Sequence, residues 1–178
     1  MSRLGDPQQS GQPGNTATAS ESNRHVAQVD TPIGPIVIVE HGERIERVLW
    51  GSEVSAFTPT QTTSLLKDAS RQLKDYFAGR LKRFDLPLGL SPDPFRRKVQ
   101  QAMLAIPYGE TCTYGDIASA LDTYGQPVGQ ACGANGIPII VPCHRVLSAN
   151  GVGGFSGAGG VETKILLLKH EGGFPYLI

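Results

Sequence analysis

Along the first half of the chain, apolar residues come in short β-branched runs; along the second half they recur every three or four positions. Residues 32–39, Pro-Ile-Gly-Pro-Ile-Val-Ile-Val, predict a strand, because branched side chains fit a pleated surface. His41-Gly42-Glu43 supplies a turn and 45–50 a returning strand, so a hairpin is expected, with order beginning near Val26. The stretch 51–60 reads as loop. Over 61–79, Leu65, Leu66, Ala69, Leu73, Tyr76 and Phe77 follow helical spacing, and Gly79 stands just past the end as a stop. A further short strand is expected at 80–87.

Ser91-Pro92-Asp93-Pro94 is a helix-start signal, and Phe95, Val99, Ala102, Met103 and Ile106 carry that helix to about residue 106, where Pro107-Tyr108-Gly109 ends it. Thr113 stands where a short helix over 114–121 needs a cap. Gly125-Gln126-Pro127 opens another, rich in small residues: Gly129, Ala131, Gly133 and Ala134. Two short helices joined by a tight turn are the helix-turn-helix pattern. An apolar run, 137–141, leads into Pro142-Cys143-His144-Arg145-Val146. A glycine-rich loop, 151–160, precedes a last helix over 161–170, which Gly172-Gly173 stops. Residues 1–24 lack aromatics and carry too little apolar surface to offset the entropy of ordering, so a disordered tail is expected there. The chain thus divides into a tail (1–24), an α/β part with a small sheet (25–88) and a helical part (92–174).

With 178 residues, 39 % of them hydrophobic, the chain can bury one good core or two small ones sharing an interface. Sixteen Lys plus Arg cancel sixteen Asp plus Glu, which excludes an overall polycation that coats nucleic acid or anionic membrane by charge alone, though not a local basic patch. No apolar run approaches the roughly 20 residues that span a bilayer. No signal peptide is evident, and three cysteines close no disulfide framework. The expectation is a soluble monomer of a reducing compartment: cytoplasmic, or nuclear in a eukaryote. Cys112, Cys132, His25, His41 and His170 show no metal-ligand spacing, so no metal is expected, and Cys112 and Cys132 read as packing residues.

Cys143 is the leading candidate for chemistry. A thiol attacks as thiolate, and a neighbouring imidazole, or a water held by it, can take the proton. On an extended strand His144 would point to the opposite face, so a turn at Pro142 or a bridging water is required. The competing reading is a buried structural cysteine beside a surface histidine.

Pro142-Cys143-His144-Arg145-Val146 resembles the active-site signature of the 6-O-alkylguanine-DNA alkyltransferases, the methylated-DNA–protein-cysteine methyltransferases. Ile106-Pro107-Tyr108-Gly109-Glu110-Thr111 and Thr113-Tyr114-Gly115-Asp116-Ile117-Ala118 are similar to the stretch leading into that family's helix-turn-helix. Val128 to Asn135 resembles its recognition helix and asparagine hinge. Gly154-Phe155-Ser156, Gly159-Gly160, Lys164 and Leu166-Leu167 to Glu171 resemble its loop and last helix. The resemblance runs in order from about Phe95 to Gly172.

That resemblance implies a ribonuclease-H-like first domain without catalytic residues and a winged-helix-like second domain with the helix-turn-helix. It implies DNA repair: irreversible transfer of a methyl or alkyl group from the guanine 6-oxygen of double-stranded DNA to Cys143, once per molecule, with the base flipped out and no cofactor. His144 and Glu171 match the pair that draws the thiol proton through a water, and Asn135 matches the hinge. Tyr114 matches the tyrosine that donates to the leaving base. Ser156 and Lys164 match polar groups near the alkylated oxygen, and Val146 is expected beside the base. Thr113, Gln126, Gly129, Gln130 and Ala131 are expected on the DNA. Taken alone, Tyr114 reads equally as an amphipathic wall residue, Glu171 as a solvated helix end and Lys164 as a surface charge. Arg145 reads as structural, its acidic partner unnamed.

Two departures stand out. Gln126 occupies the place of the family's arginine that fills the gap left by the flipped base, with Tyr124 nearby as a substitute wedge. From Val99 through His144 there is no Lys or Arg, whereas Arg96-Arg97-Lys98 can flank the site. Weak, salt-sensitive, sequence-independent DNA binding follows. Two other functions compete: a non-enzymatic alkyltransferase-like protein that flags lesions, which the retained Cys143 disfavours, and a thiol hydrolase, for which no third orienting residue is recognisable.

Overall fold

The computed structural model describes residues 23–60 and 62–173; the expected tail lies outside them, Asn23 and Arg24 excepted. Three strands, β1 (Arg24–Thr31), β2 (Gly34–His41) and β3 (Arg44–Trp50), form an antiparallel sheet in the order β1-β2-β3. The hairpin is where the sequence puts it. Order begins close to Val26 as expected, in a strand the sequence reading did not assign: Arg24 to Thr31 pair along their whole length with His41 to Gly34. Central β2 is buried on both faces, which explains its continuous rather than alternating apolar run. Ile36 and Ile38 join the main core, whereas Val37 and Val39 face a small second cluster with Val26 and Leu49. The segment expected as loop begins with a 3-10 turn, Gly51–Ala56, whose Val54 covers that second cluster together with Phe57.

Helix α1 (Ser64–Phe77) starts at Thr63, whose hydroxyl accepts from Leu66 N at 3.1 Å. Leu66, Ala69, Leu73 and Tyr76 form its buried stripe against the sheet. The strand expected at 80–87 does not form. Pro87 has no N–H for a ladder, and the segment is clamped by a side chain instead: Gln72 exchanges two 2.8 Å hydrogen bonds with the backbone of Asp85. Only Leu88 bridges to Ile45.

Helix α2 (Pro94–Leu104) begins with the Asp93 carboxylate accepting from Arg96 N at 2.7 Å. Strand β4 (Cys112–Thr113) and helix α3 (Tyr114–Ala120) follow, then α4 (Gly125–Gly133), giving the expected helix-turn-helix. Thr113 and Asp116 form a reciprocal capping box at the start of α3. Thr113→Ala is expected to cost about 1 kcal/mol, read by chemical denaturation. The apolar run 137–141 is irregular and buried; Ile139 is held at φ +73°, unfavourable for a β-branched residue. It delivers a 3-10 turn at Cys143–Arg145 and strand β5 (Val146–Leu147), which pairs in parallel with β4. Helix α5 (Gly160–Glu171) closes the fold, stopped by Gly172 at φ +72°. No helix among the described residues is long and apolar enough to cross a membrane.

Candidate active site

The turn that Pro142 was expected to encourage is present. Cys143 N donates to Val141 O at 2.9 Å and Arg145 N to Pro142 O at 3.0 Å, so Cys143, His144 and Arg145 all face inward from one 3-10 turn. Asn135 pins the approach: its Nδ2 donates to Val141 O at 2.9 Å, and its Oδ1 accepts from Ile137 N and, at 3.4 Å, from Gln100 Nε2.

Glu171 is the centre of the buried polar group. Its Oε1 accepts from His144 Nε2 and from the Tyr76 hydroxyl, both at 2.7 Å, and from Arg145 Nη2 at 3.0 Å. Its Oε2 accepts from Arg145 Nε at 2.8 Å and from Gly109 N at 3.2 Å. Burial alone would push this carboxyl up, but the bonds from His144 and Arg145 prevail and hold it at about 2. The carboxylate is therefore acceptor-only, so the Nε2 of His144 carries the proton and Nδ1 is the lone-pair nitrogen. Nδ1 has no hydrogen-bond partner among the described residues. Burial lowers the His144 pKa, with Arg145 and Lys164 adding to the effect against Glu171, which keeps the ring neutral. Gly109 makes this arrangement possible: it sits at φ +79°, and a Cβ there would come within 2.9 Å of the Glu171 carbonyl oxygen.

Burial raises the thiol pKa of Cys143, while the Asn135 side chain, the Lys164 charge and the N–H groups of Cys143 and His144 pull it back. A cavity of about 280 Å³ opens beside it, lined by Tyr114, Gly129, Cys132, Gly133, Gly154, Phe155 and Ser156 as well as Cys143. The Tyr114 hydroxyl reaches Gly154 O at 3.4 Å. Trp50 of β3 steadies this loop by donating from Nε1 to Ala158 O at 2.8 Å. At Gly157 a Cβ would meet the Trp50 ring at 2.5 Å, so only glycine lets the loop lie this close.

Three expected site residues do not line this cavity. Val146 is wholly buried and lines no part of the cavity; its carbonyl accepts from Lys164 Nζ at 2.6 Å. Lys164 is itself buried, bonded also to Gly154 O at 3.1 Å, and so lies behind the cavity wall with its charge toward Cys143. Ala131 packs in the core, because α4 turns that face away from solvent. Gln126 and Gln130 are exposed on α4, and Thr113 is half-buried in its capping box. Sequence reasoning missed Tyr76, the carboxylate partner of Arg145, and Cys132 as a cavity-lining thiol.

Two family models match, "6-O-methylguanine DNA methyltransferase, ribonuclease-like domain" over residues 25–90 and "6-O-methylguanine DNA methyltransferase, DNA binding domain" over 94–173. The chain belongs to the 6-O-methylguanine DNA methyltransferase family. Among its relatives, the constitutive methylated-DNA–protein-cysteine methyltransferase of Bacillus subtilis is 41 % identical over 156 residues, covering 80 % of this chain and 92 % of that protein. The methylated-DNA–protein-cysteine methyltransferase of Methanosarcina acetivorans is 40 % identical, covering 83 % and 98 %. A crystal structure of the Mycobacterium tuberculosis OGT in complex with DNA superposes with a TM-score of 0.74 at 40 % identity, covering 83 % of this chain and 92 % of that one. In this methyltransferase family's two-domain fold, the small sheet domain and the helical DNA-binding domain meet at the Glu171 cluster.

Proposed function

We propose that the protein is a single-use DNA repair methyltransferase that moves a methyl or larger alkyl group from the 6-oxygen of guanine to Cys143. The observation that carries this reading is the fixed tautomer of His144: Glu171 holds the Nε2 proton, leaving Nδ1 as the base in the same turn as the thiol. One water between Sγ and Nδ1 completes the proton path. The thiolate then attacks the alkyl carbon; an S–C bond forms, the C–O bond breaks, and its electron pair leaves on the guanine. Tyr114 in the cavity wall donates to the departing base, and Ser156 faces it from the loop. Lys164 supports the anionic sulfur from behind rather than meeting the alkylated oxygen. The thioether is stable and no group regenerates the thiolate, so each molecule acts once, as a monomer, without cofactor or metal.

The division is 25–88 as supporting domain and 92–174 as DNA-binding and acceptor domain. The extrahelical base enters past the start of α4, where Gln126 is exposed and Tyr124, 83 % exposed, stands ready as a wedge. Gly129 and Gln130 lie along the same helix, and the Thr113 cap orients α3 beside it. Free cysteines suit the reducing compartment that holds DNA, the cytoplasm or a eukaryotic nucleus. Gln126→Arg is expected to tighten duplex binding and to steepen the dependence of log affinity on log salt by about one unit, measured by a salt titration; an unchanged slope removes α4 from the phosphate path.

The test of the function is to incubate the protein with duplex DNA containing 6-O-methylguanine and to record intact mass and a peptide map. A stoichiometric gain of one methyl on Cys143 is expected. Tight lesion binding with no change of mass sinks the proposal in favour of a damage-flagging protein.

A further inference from the structure

Tyr76 is the one α1 side chain that enters the polar cluster, and it comes from the domain remote from the helix-turn-helix. Its ring is fully buried, edge-on to His170 at 5.0 Å and to Tyr108 at 6.1 Å. Its hydroxyl donates at 2.7 Å to Oε1 of Glu171, the same oxygen that receives the His144 proton at 2.7 Å. The backbone carbonyl of Tyr76 in turn meets His170 Nε2 at 2.8 Å, so the end of α1 is tied twice to the end of α5.

We infer that Tyr76 is a positioning residue that sets the strength of the base acting on Cys143, through the carboxylate oxygen it shares with His144. This rests on the function proposed above. The phenol is a permanent donor here: burial and the Glu171 charge push its own pKa far upward, so it never competes as an anion. By taking up part of the Oε1 charge, it weakens the pull of Glu171 on the Nε2 proton and keeps His144 a milder, readily neutral base. Other groups bearing on the pair are Arg145 on both carboxylate oxygens, Tyr108 stacked under Arg145, Lys164 from α5 and the Gly109 N–H. Among the described residues, only Tyr76 and Arg145 Nη2 share Oε1 with His144, and Arg145 also holds Oε2.

The test uses the full chain with Tyr76→Phe, which keeps the ring and removes the hydroxyl. The carboxylate then draws harder on the imidazolium form. His144 should protonate at a higher pH by NMR of its ring, and the acid limb of the methyl-transfer rate should move upward with it, by about half a pH unit or more. The plateau rate should also fall several-fold as the ring loses its fixed angle. A merely structural role lowers thermal stability but leaves both titrations in place, and that result overturns the inference. Replacement of Tyr76 by 3-fluorotyrosine, a stronger donor of nearly the same size, should shift His144 the opposite way; no shift there also overturns it. If the unaltered chain takes up no methyl at all, the proposed function fails. The His144 titrations still decide the role of Tyr76.

Discussion

Cys143→Ala is expected to take up no methyl from methylated duplex while binding it as the unaltered chain does, measured by intact mass and by a binding isotherm on the same sample. The loss should be complete because the neighbouring thiol cannot replace it. Cys132 lines the same cavity, but burial pushes it up to about 12, leaving on the order of one molecule in 100,000 as thiolate near pH 7. The Lys164 charge favours both anions, but the Cys132 sulfur is bonded to the Met103 thioether at 3.6 Å, whereas Cys143 has the Asn135 side chain and two N–H groups to favour its anion. Folding should change little, by about 1 kcal/mol, since a small buried thiol is exchanged for a methyl group. Methyl uptake by the alanine variant at another residue would show that the acceptor had been misassigned.

Glu171→Gln is expected to be more damaging, because it harms both folding and transfer. The carboxylate accepts five hydrogen bonds at two oxygens. An amide offers one acceptor oxygen and turns an NH₂ toward donors, leaving the Arg145 charge buried without its counterion. A loss of about 3–5 kcal/mol in unfolding free energy is expected. The pH dependence identifies the cause. Glu171 titrates at about 2 when folded, below its ordinary 4.5, so its contribution is complete above pH 4.5 and fades as the pH falls toward 2. That contribution is on the order of 3 kcal/mol. His144 is lowered from 6.5, so the unfolded chain takes up that proton first, and stability already declines as the pH drops below 6.5. Lys164, lowered to about 8 from 10.5, adds stability as the pH rises between those values. Denaturation curves across this range should show the step between 4.5 and 2 in the unaltered chain and lose it in Glu171→Gln. A step of equal size in both would assign the acid sensitivity to another carboxyl.

The hairpin, α1, the helix-turn-helix and the final helix were legible because each rests on local signals: the His41-Gly42-Glu43 turn, the Thr113 cap, Gly172. β1 was not, because its pairing is entirely with β2 and its flank blends into a polar tail. The strand expected at 80–87 was lost to the side chain of Gln72, a contact no local pattern announces. In the site, Cys143, His144, Asn135 and Glu171 come together as their order along the chain suggested. Tyr76 escaped because its ring is ordinary core and only the hydroxyl matters. That Val146, Lys164 and Ala131 do not line the cavity could not be read from the sequence, because the face each presents is decided by how β5, α5 and α4 dock.

Glu171, the carboxylate of the proposed proton path, stands at the end of the last described helix, 95 residues beyond Tyr76 and 27 beyond His144. On the proposed function, Cys143 gains its base only once α5 has seated against α1, so reactivity toward damaged DNA should appear only in molecules whose two halves have finished assembling.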